Sequence, residues 1–100
     1  METLLYSKVV YYEDSDFRFE VETYDRACLL HCEVSKWAPS VLKQMYRVLK
    51  KFLAECKDSG VIKVYTVTPN PKYAEVMGGR YTSSITVGGV NYEVYKWDLN

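Results

Sequence analysis

The sequence predicts one α+β domain over residues 1–100: a mixed, mostly antiparallel sheet in the order β-β-β-α-β-(α)-β-β, with one long helix packed on it. Three observations carry this reading. Residues 17–24 (FRFEVETY) alternate apolar and polar with a period of two, as a half-buried strand does. Between Val41 and Cys56 the apolar positions recur at the helical period instead. Near the end, Gly88-Gly89 separates two strand-like runs, the signal of a two-residue hairpin.

The elements follow in order. Residues 4–12 (LLYSKVVYY) are rich in β-branched and aromatic residues and form a first strand, closed by the turn formers Glu13-Asp14-Ser15-Asp16. Tyr11 and Tyr12 are adjacent on it, so regular alternation sends them to opposite faces. In residues 17–24, Phe17, Phe19 and Val21 share one face and Arg18, Glu20 and Glu22 the other. Asp25-Arg26 turns the chain into residues 27–34, where Cys28, Leu30, Cys32 and Val34 make an apolar face. These strands form an antiparallel meander. The helix stripe is Val41, Leu42, Met45, Tyr46, Leu49, Phe52, Leu53 and Cys56, with Pro39 in the first turn and Gly60 at the left-handed stop. Residues 61–67 (VIKVYTV) are almost continuously apolar, as a central strand covered on both faces is. A helix between strands three and four makes that crossover parallel and right-handed. Residues 72–77 form a short helix stopped by Gly78-Gly79, and residues 81–87 and 90–98 form the closing hairpin.

Composition narrows the function. Lys+Arg and Asp+Glu are both 13, giving zero net charge, so the basic excess that drives phosphate binding is missing. Met1-Glu2-Thr3 places an acid where a signal peptide carries a cation, and no apolar run approaches a membrane span. Three cysteines, an odd number, suit free thiols in a reducing cytosol. Cys28 and Cys32 lie about 13 Å apart along one strand, too far to bridge. His31 is the single histidine, so no zinc cluster is expected. A cytoplasmic location follows, or a host cytoplasm or virion if the protein is viral.

The element order resembles the GNAT superfamily, the acetyl-CoA-dependent N-acetyltransferases, from that family's second strand to its last. VIKVYTVTPN, a short helix, Gly78-Gly79-Arg80-Tyr81 and a hairpin are similar to the family's fifth strand, fourth helix, Gly-aromatic element and closing hairpin. The family's first strand and first two helices have no counterpart. Cut-down proteins of this kind look most like those of tailed bacteriophages. The family's Gln/Arg-x-x-Gly-x-Gly/Ala loop holds the cofactor diphosphate on bare amides at a helix start. The equivalent stretch here, Val34-Ser35-Lys36-Trp37-Ala38-Pro39-Ser40, has no glycine, and Pro39 removes a donor. The family's frequent catalytic tyrosine position holds Ala74 or Glu75, with Tyr73 out of register.

The resulting expectation is a non-catalytic GNAT-like domain, with no cofactor, no metal and no catalytic residue. It would act by binding a protein partner, as a bacteriophage virion component or host-factor binder. Its candidate surface is the basic helix face of Lys43, Arg47, Lys50 and Lys51, whose like charges repel unless a partner compensates. A solvated, solubilising face is the competing reading. The excess of ten tyrosines and two tryptophans fits an interface or sheet propensity, and an oligomer is compatible with both.

The alternative is a minimal N-acetyltransferase moving acetyl from acetyl-CoA to an amine. Glu33 and His31 would then be catalytic, since they share a strand face and a carboxylate there can act as base through water. Val34, Lys36, Trp37 and Asn70 would hold the cofactor. Against this, Asn70 between two prolines is an ordinary turn former. A nucleic-acid-binding module is the second alternative and rests on the helix face alone.

Overall fold

A computed structural model describes residues 7–99. The strands are β1 (Ser7–Glu13), β2 (Phe17–Thr23), β3 (Ala27–Val34), β4 (Lys63–Thr68), β5 (Arg80–Val87) and β6 (Val90–Asp98); the helices are α1 (Pro39–Asp58) and α2 (Lys72–Val76). The part of the first expected strand before residue 7 lies outside the described residues. The fold is the expected α+β arrangement, one six-stranded sheet in the order β1-β2-β3-β4-β6-β5. Among the described residues only β3 and β4 pair in parallel, across the α1 crossover; the other neighbours are antiparallel.

Register decides what is core. Val21, Leu30 and Thr66 line up across β2, β3 and β4, and Thr66 continues to Tyr95 on β6. Their face is the one both helices cover, and all four are buried. α1 lies over β1–β3: Tyr11 meets Phe52 edge-on, ring centroids 4.9 Å apart. α2 lies over β4 and β6, where Trp97 Nε1 donates to the Met77 carbonyl at 3.2 Å.

The opposite face carries no helix among the described residues. Residues 61–67 were expected to be covered on both sides, and this is corrected. Val64, Thr66 and Thr68 are buried, while Lys63, Tyr65 and Val67 are half-buried on the open face. Lysine at the strand start and the tyrosine hydroxyl let that side meet water.

α1 follows its stripe with shifts. Val41, Met45, Val48, Leu49, Phe52 and Cys56 are buried; Leu42 and Leu53 pack on the core half-buried, and Tyr46 is exposed. Tyr46 instead lies beneath the Lys50 ammonium, 5.4 Å from ring to nitrogen. The helix stops on a Schellman turn: Val61 N–H donates to the Cys56 carbonyl and Gly60 N–H to that of Lys57. The closing hairpin turns on Gly88 and Gly89, both at positive φ, 58° and 81°, the conformation a two-residue hairpin requires. Gly79 serves a different end: a Cβ there would stand 3.1 Å from the Trp97 ring.

The expectation for Tyr11 and Tyr12 fails. Pairing of β1 with β2 shifts between Val10 and Tyr12, a β-bulge. The extra residue turns both rings toward the helix side, Tyr11 onto Phe52 and Tyr12 onto Phe17, centroids 5.0 Å apart.

Candidate functional site

The parallel pair opens like a V. β3 and β4 pair from Ala27↔Lys63 to Leu30↔Thr66, yet β3 continues to Val34 and β4 to Thr68. Beyond that point the two strands diverge toward separate connections, one to α1 and one to α2. A crevice outside the carboxyl ends of parallel strands is where open sheets of this kind bind ligands. Here it holds a cleft of about 560 Å³ between Trp37, Pro39 and Leu42 on one side and Asn70, Tyr73 and Val76 on the other.

Tyr73 lines the cleft, and its hydroxyl is anchored on buried Thr66 beneath it. Thr66 Oγ1 donates to the Leu30 carbonyl at 2.9 Å, where strand pairing stops, and the Tyr73 hydroxyl sits 2.5 Å from the same Oγ1. With the threonine proton committed to Leu30, the tyrosine must be the donor. Burial pushes the Tyr73 phenol well above its ordinary pKa, so it keeps its proton across the physiological range. Cys32 is also pushed up, to about 12, by burial first and then by Glu33. It stays a thiol, which makes a covalent cysteine relay a poor reading of this site.

The expected cofactor residues divide. Trp37 and Asn70 meet across the cleft. Asn70 is held in a tight turn by Thr68, whose Oγ1 accepts from the Asn70 N–H at 3.0 Å. Its side chain makes no hydrogen bond among the described residues. Val34 packs half-buried on the core, and Lys36 is exposed on the loop. The sequence missed Lys72, Tyr73 and the anchor at Thr66. Tyr73 lies within one or two residues of the expected tyrosine position, and allowing that offset would have found it.

The expected catalytic pair is not a pair. His31 Nε2 stands 2.5 Å from Glu22 Oε2, on the neighbouring strand. Glu22 also accepts from the Tyr24 hydroxyl at 2.8 Å. That bond first, and His31 second, hold its carboxyl below the usual carboxylate range. Glu33 is exposed on the open face, beside the diverging end of β3. The basic residues of α1 are exposed too: Arg47 Nη1 donates to Gln44 Oε1 at 3.2 Å, and neither it nor Lys51 has an ion pair among the described residues.

Several solved structures share this fold. An aminoglycoside 6'-acetyltransferase type Ii superposes with a TM-score of 0.69 at 13% identity, over 93% of this chain and 70% of that one. An acetyltransferase from Bacillus cereus gives 0.66 at 13% identity, over 94% and 74%. A protein assigned to the GNAT family of acetyltransferases, from Desulfovibrio desulfuricans, gives 0.60 at 13%, over 85% and 70%. No protein-family model and no curated protein sequence matches the chain. At this identity the likeness establishes a GNAT-like fold. It also corrects one expectation. The chain was read as taking no cofactor, whereas the structures it resembles are acetyltransferases, and that family's acetyl donor is acetyl-CoA.

The cleft fits such a donor at its acyl-bearing end: its lining is mostly apolar, and it lies beside the ends of β3 and β4 that do not pair with each other and can bond amides. The diphosphate end is met differently. α1 starts at Ala38 with no side-chain cap and with Pro39 as its first residue; the cations near that start are Lys72 on the cleft wall and Lys36 on the preceding loop, which would have to meet a diphosphate in place of glycine amides.

Among the described residues, no helix is long and apolar enough to cross a membrane.

Proposed function

We propose that the chain is a minimal N-acetyltransferase that moves acetyl from acetyl-CoA to an amine. The observation that carries it is the parting of β3 and β4 past Leu30 and Thr66 beside a mostly apolar cleft lined by a protonated tyrosine. Acetyl-CoA supplies an activated thioester. The chain's residues do the rest. Trp37, Leu42 and Val76 wall the cleft against water, and Asn70 orients the amide-bearing arm. Lys36 and Lys72 meet the phosphates. Tyr73, its hydroxyl proton bonded to Thr66, holds the cleft wall in place, and the sulfur departs as a thiolate that solvent protonates. Glu33, reached from the open face at the same gap, takes the proton of the acceptor amine, and His31 with Glu22 keeps that strand edge in place.

The test is a thermal melt with acetyl-CoA, paired with detection of released thiol in the presence of small amines. Binding at a hundredfold excess over Kd adds about 2.7 kcal/mol, or roughly 10 °C or more for a domain of this size. We expect that rise, and expect Glu33→Gln to keep it while losing most thiol release. A flat melt at millimolar acetyl-CoA would refute the reading.

The second reading, a non-catalytic domain that binds a protein, is supported by the glycine-free loop and the proline at the helix start. The bacteriophage and virion attribution rests on the cut-down element order alone.

A further inference from the structure

We propose that the groove between β1 and α1 binds an acidic polypeptide segment in extended conformation, added as a further strand along β1. This groove lies on the far flank of α1 from the acetyl cleft and does not depend on the acetyltransferase reading. It has a volume of about 500 Å³ and is walled by Tyr11 and Tyr12 on the strand side and by Arg47, Val48 and Lys51 on the helix side.

Four observations point to that occupant. First, β1 ends the sheet, so one side of its backbone has no strand partner among the described residues. Unpaired N–H and C=O groups in a row are met best by another peptide backbone. Second, the bulge at Tyr11 turns two aromatic rings into the groove, and both are held. Tyr11 donates to Glu55 Oε1 at 2.8 Å, and Tyr12 donates to Asp14 Oδ2 at 2.7 Å while accepting from Gln44 at 3.3 Å. Fixed rings give contact area at little entropic cost. Third, Arg47 and Lys51 line the groove without ion pairs among the described residues, two cations against its one carboxylate, Glu55, which accepts from Tyr11. The net charge of the lining is positive, so the occupant's side chains on the helix side are carboxylates.

The fourth observation concerns rivals. Pairing β1 with β1 of a second copy would set two α1 helices side by side on one face, with Arg47 and Lys51 of each confronting the other pair. Like charges there disfavour a dimer. A nucleic acid would satisfy the cations but leave the strand edge unpaired, and the chain has no net positive charge to draw it in.

The probe is a fluorescein-labelled peptide alternating glutamate with valine, about eight residues long to match a strand, read by polarisation against the folded protein. Its lysine-valine counterpart, a copy N-methylated on alternate amides and a labelled oligo-dT serve as controls. We expect saturable binding of the glutamate peptide, weaker in high salt, with no binding by the lysine or N-methylated peptides. Reversing both charges (R47E with K51E) should weaken it about tenfold or more, while the acetyl-CoA melt shift stays as in the parent protein. Should the reversed protein fail to fold, R47Q with K51Q replaces it and should weaken binding by a smaller factor. Equal binding of the lysine peptide, indifference to R47E/K51E, no binding at millimolar peptide, tighter capture of oligo-dT, or a dimer in light scattering that R47E/K51E alters would each overturn the proposal.

Discussion

Four of the seven residues of β2 are buried, whereas all eight of β5 are exposed. The seam between β3 and β4 separates these two ways of building a sheet. On one side, β1–β3 lie beneath a helix of 20 residues, and Phe17, Phe19, Leu30, Met45 and Leu49 are almost fully buried between them. On the other, β4 and β6 lie beneath a helix of five residues, and β5 beyond them is exposed along its length. That half contributes Val64, Ala74, Met77 and Trp97 to the core and adds polar bonds to them: Tyr73 to Thr66, Tyr95 to Glu75 at 2.7 Å, and Trp97 to the Met77 carbonyl. A short helix cannot hold itself together in water, so tertiary contacts must hold α2. One half is a frame and the other a tethered wall, and the cleft opens where they part. Ligand sites are drawn from the less stable parts of a fold, and this arrangement follows that rule.

The sharpest way to break the comparison is to damage the frame. Leu49 is 1% exposed beneath the middle of α1. Leu49→Ala should cost about 2–5 kcal/mol, the transfer term plus the cavity left behind. Urea unfolding of the variant measures it. A loss below about 1 kcal/mol would mean that α1 does not anchor this half.

The frame was the legible half, and the reason is periodic burial. Phe17-x-Phe19-x-Val21 and the Val41-to-Cys56 stripe report their own environments because each residue's neighbours are near it in sequence or repeat at a fixed period. The hairpin was legible through Gly88-Gly89. The bulge was not: Val10, Tyr11 and Tyr12 are all good strand formers, and no glycine or proline marks the shift. Nor was the anchor beneath the cleft. Thr66 and Tyr73 meet because β4 carries one to where α2 brings the other, a contact that no spacing announces. His31 was read with Glu33, its neighbour along the strand, but antiparallel pairing with β2 placed it near Glu22 instead. The pattern is consistent. Features fixed by local period were readable, and those fixed by register between distant strands were not.

Acid pH sharpens the comparison on the open face of the frame. Glu22 is held below its ordinary value of 4.5 by Tyr24 first and by His31 less strongly. A folded-state value below the unfolded one adds stability above pH 4.5 that is lost as pH falls through the folded value. Thermal melts should therefore show a decline below that pH. Glu22→Gln should melt lower than the parent at neutral pH and lose the part of the decline that Glu22 carries, so the two curves converge in acid. Parallel curves across the whole range would show that this carboxylate has no such role.

The smallest effect is expected at the edge of the wall. Ile85 is the sixth of the eight residues of β5, 45% exposed, opposite Tyr92 on β6. Among the described residues no helix covers it on either face, so its side chain has little apolar area to lose. Ile85→Thr keeps the branched shape that suits a strand and exchanges its ethyl branch for a hydroxyl in water. The stability change should stay within about 0.5 kcal/mol, the range of surface substitutions away from packing. The contrast with Leu49→Ala then spans the difference between the two halves. A loss above about 1.5 kcal/mol would show Ile85 covered in solution, and concentration-dependent melting would identify the cover as another copy of the chain.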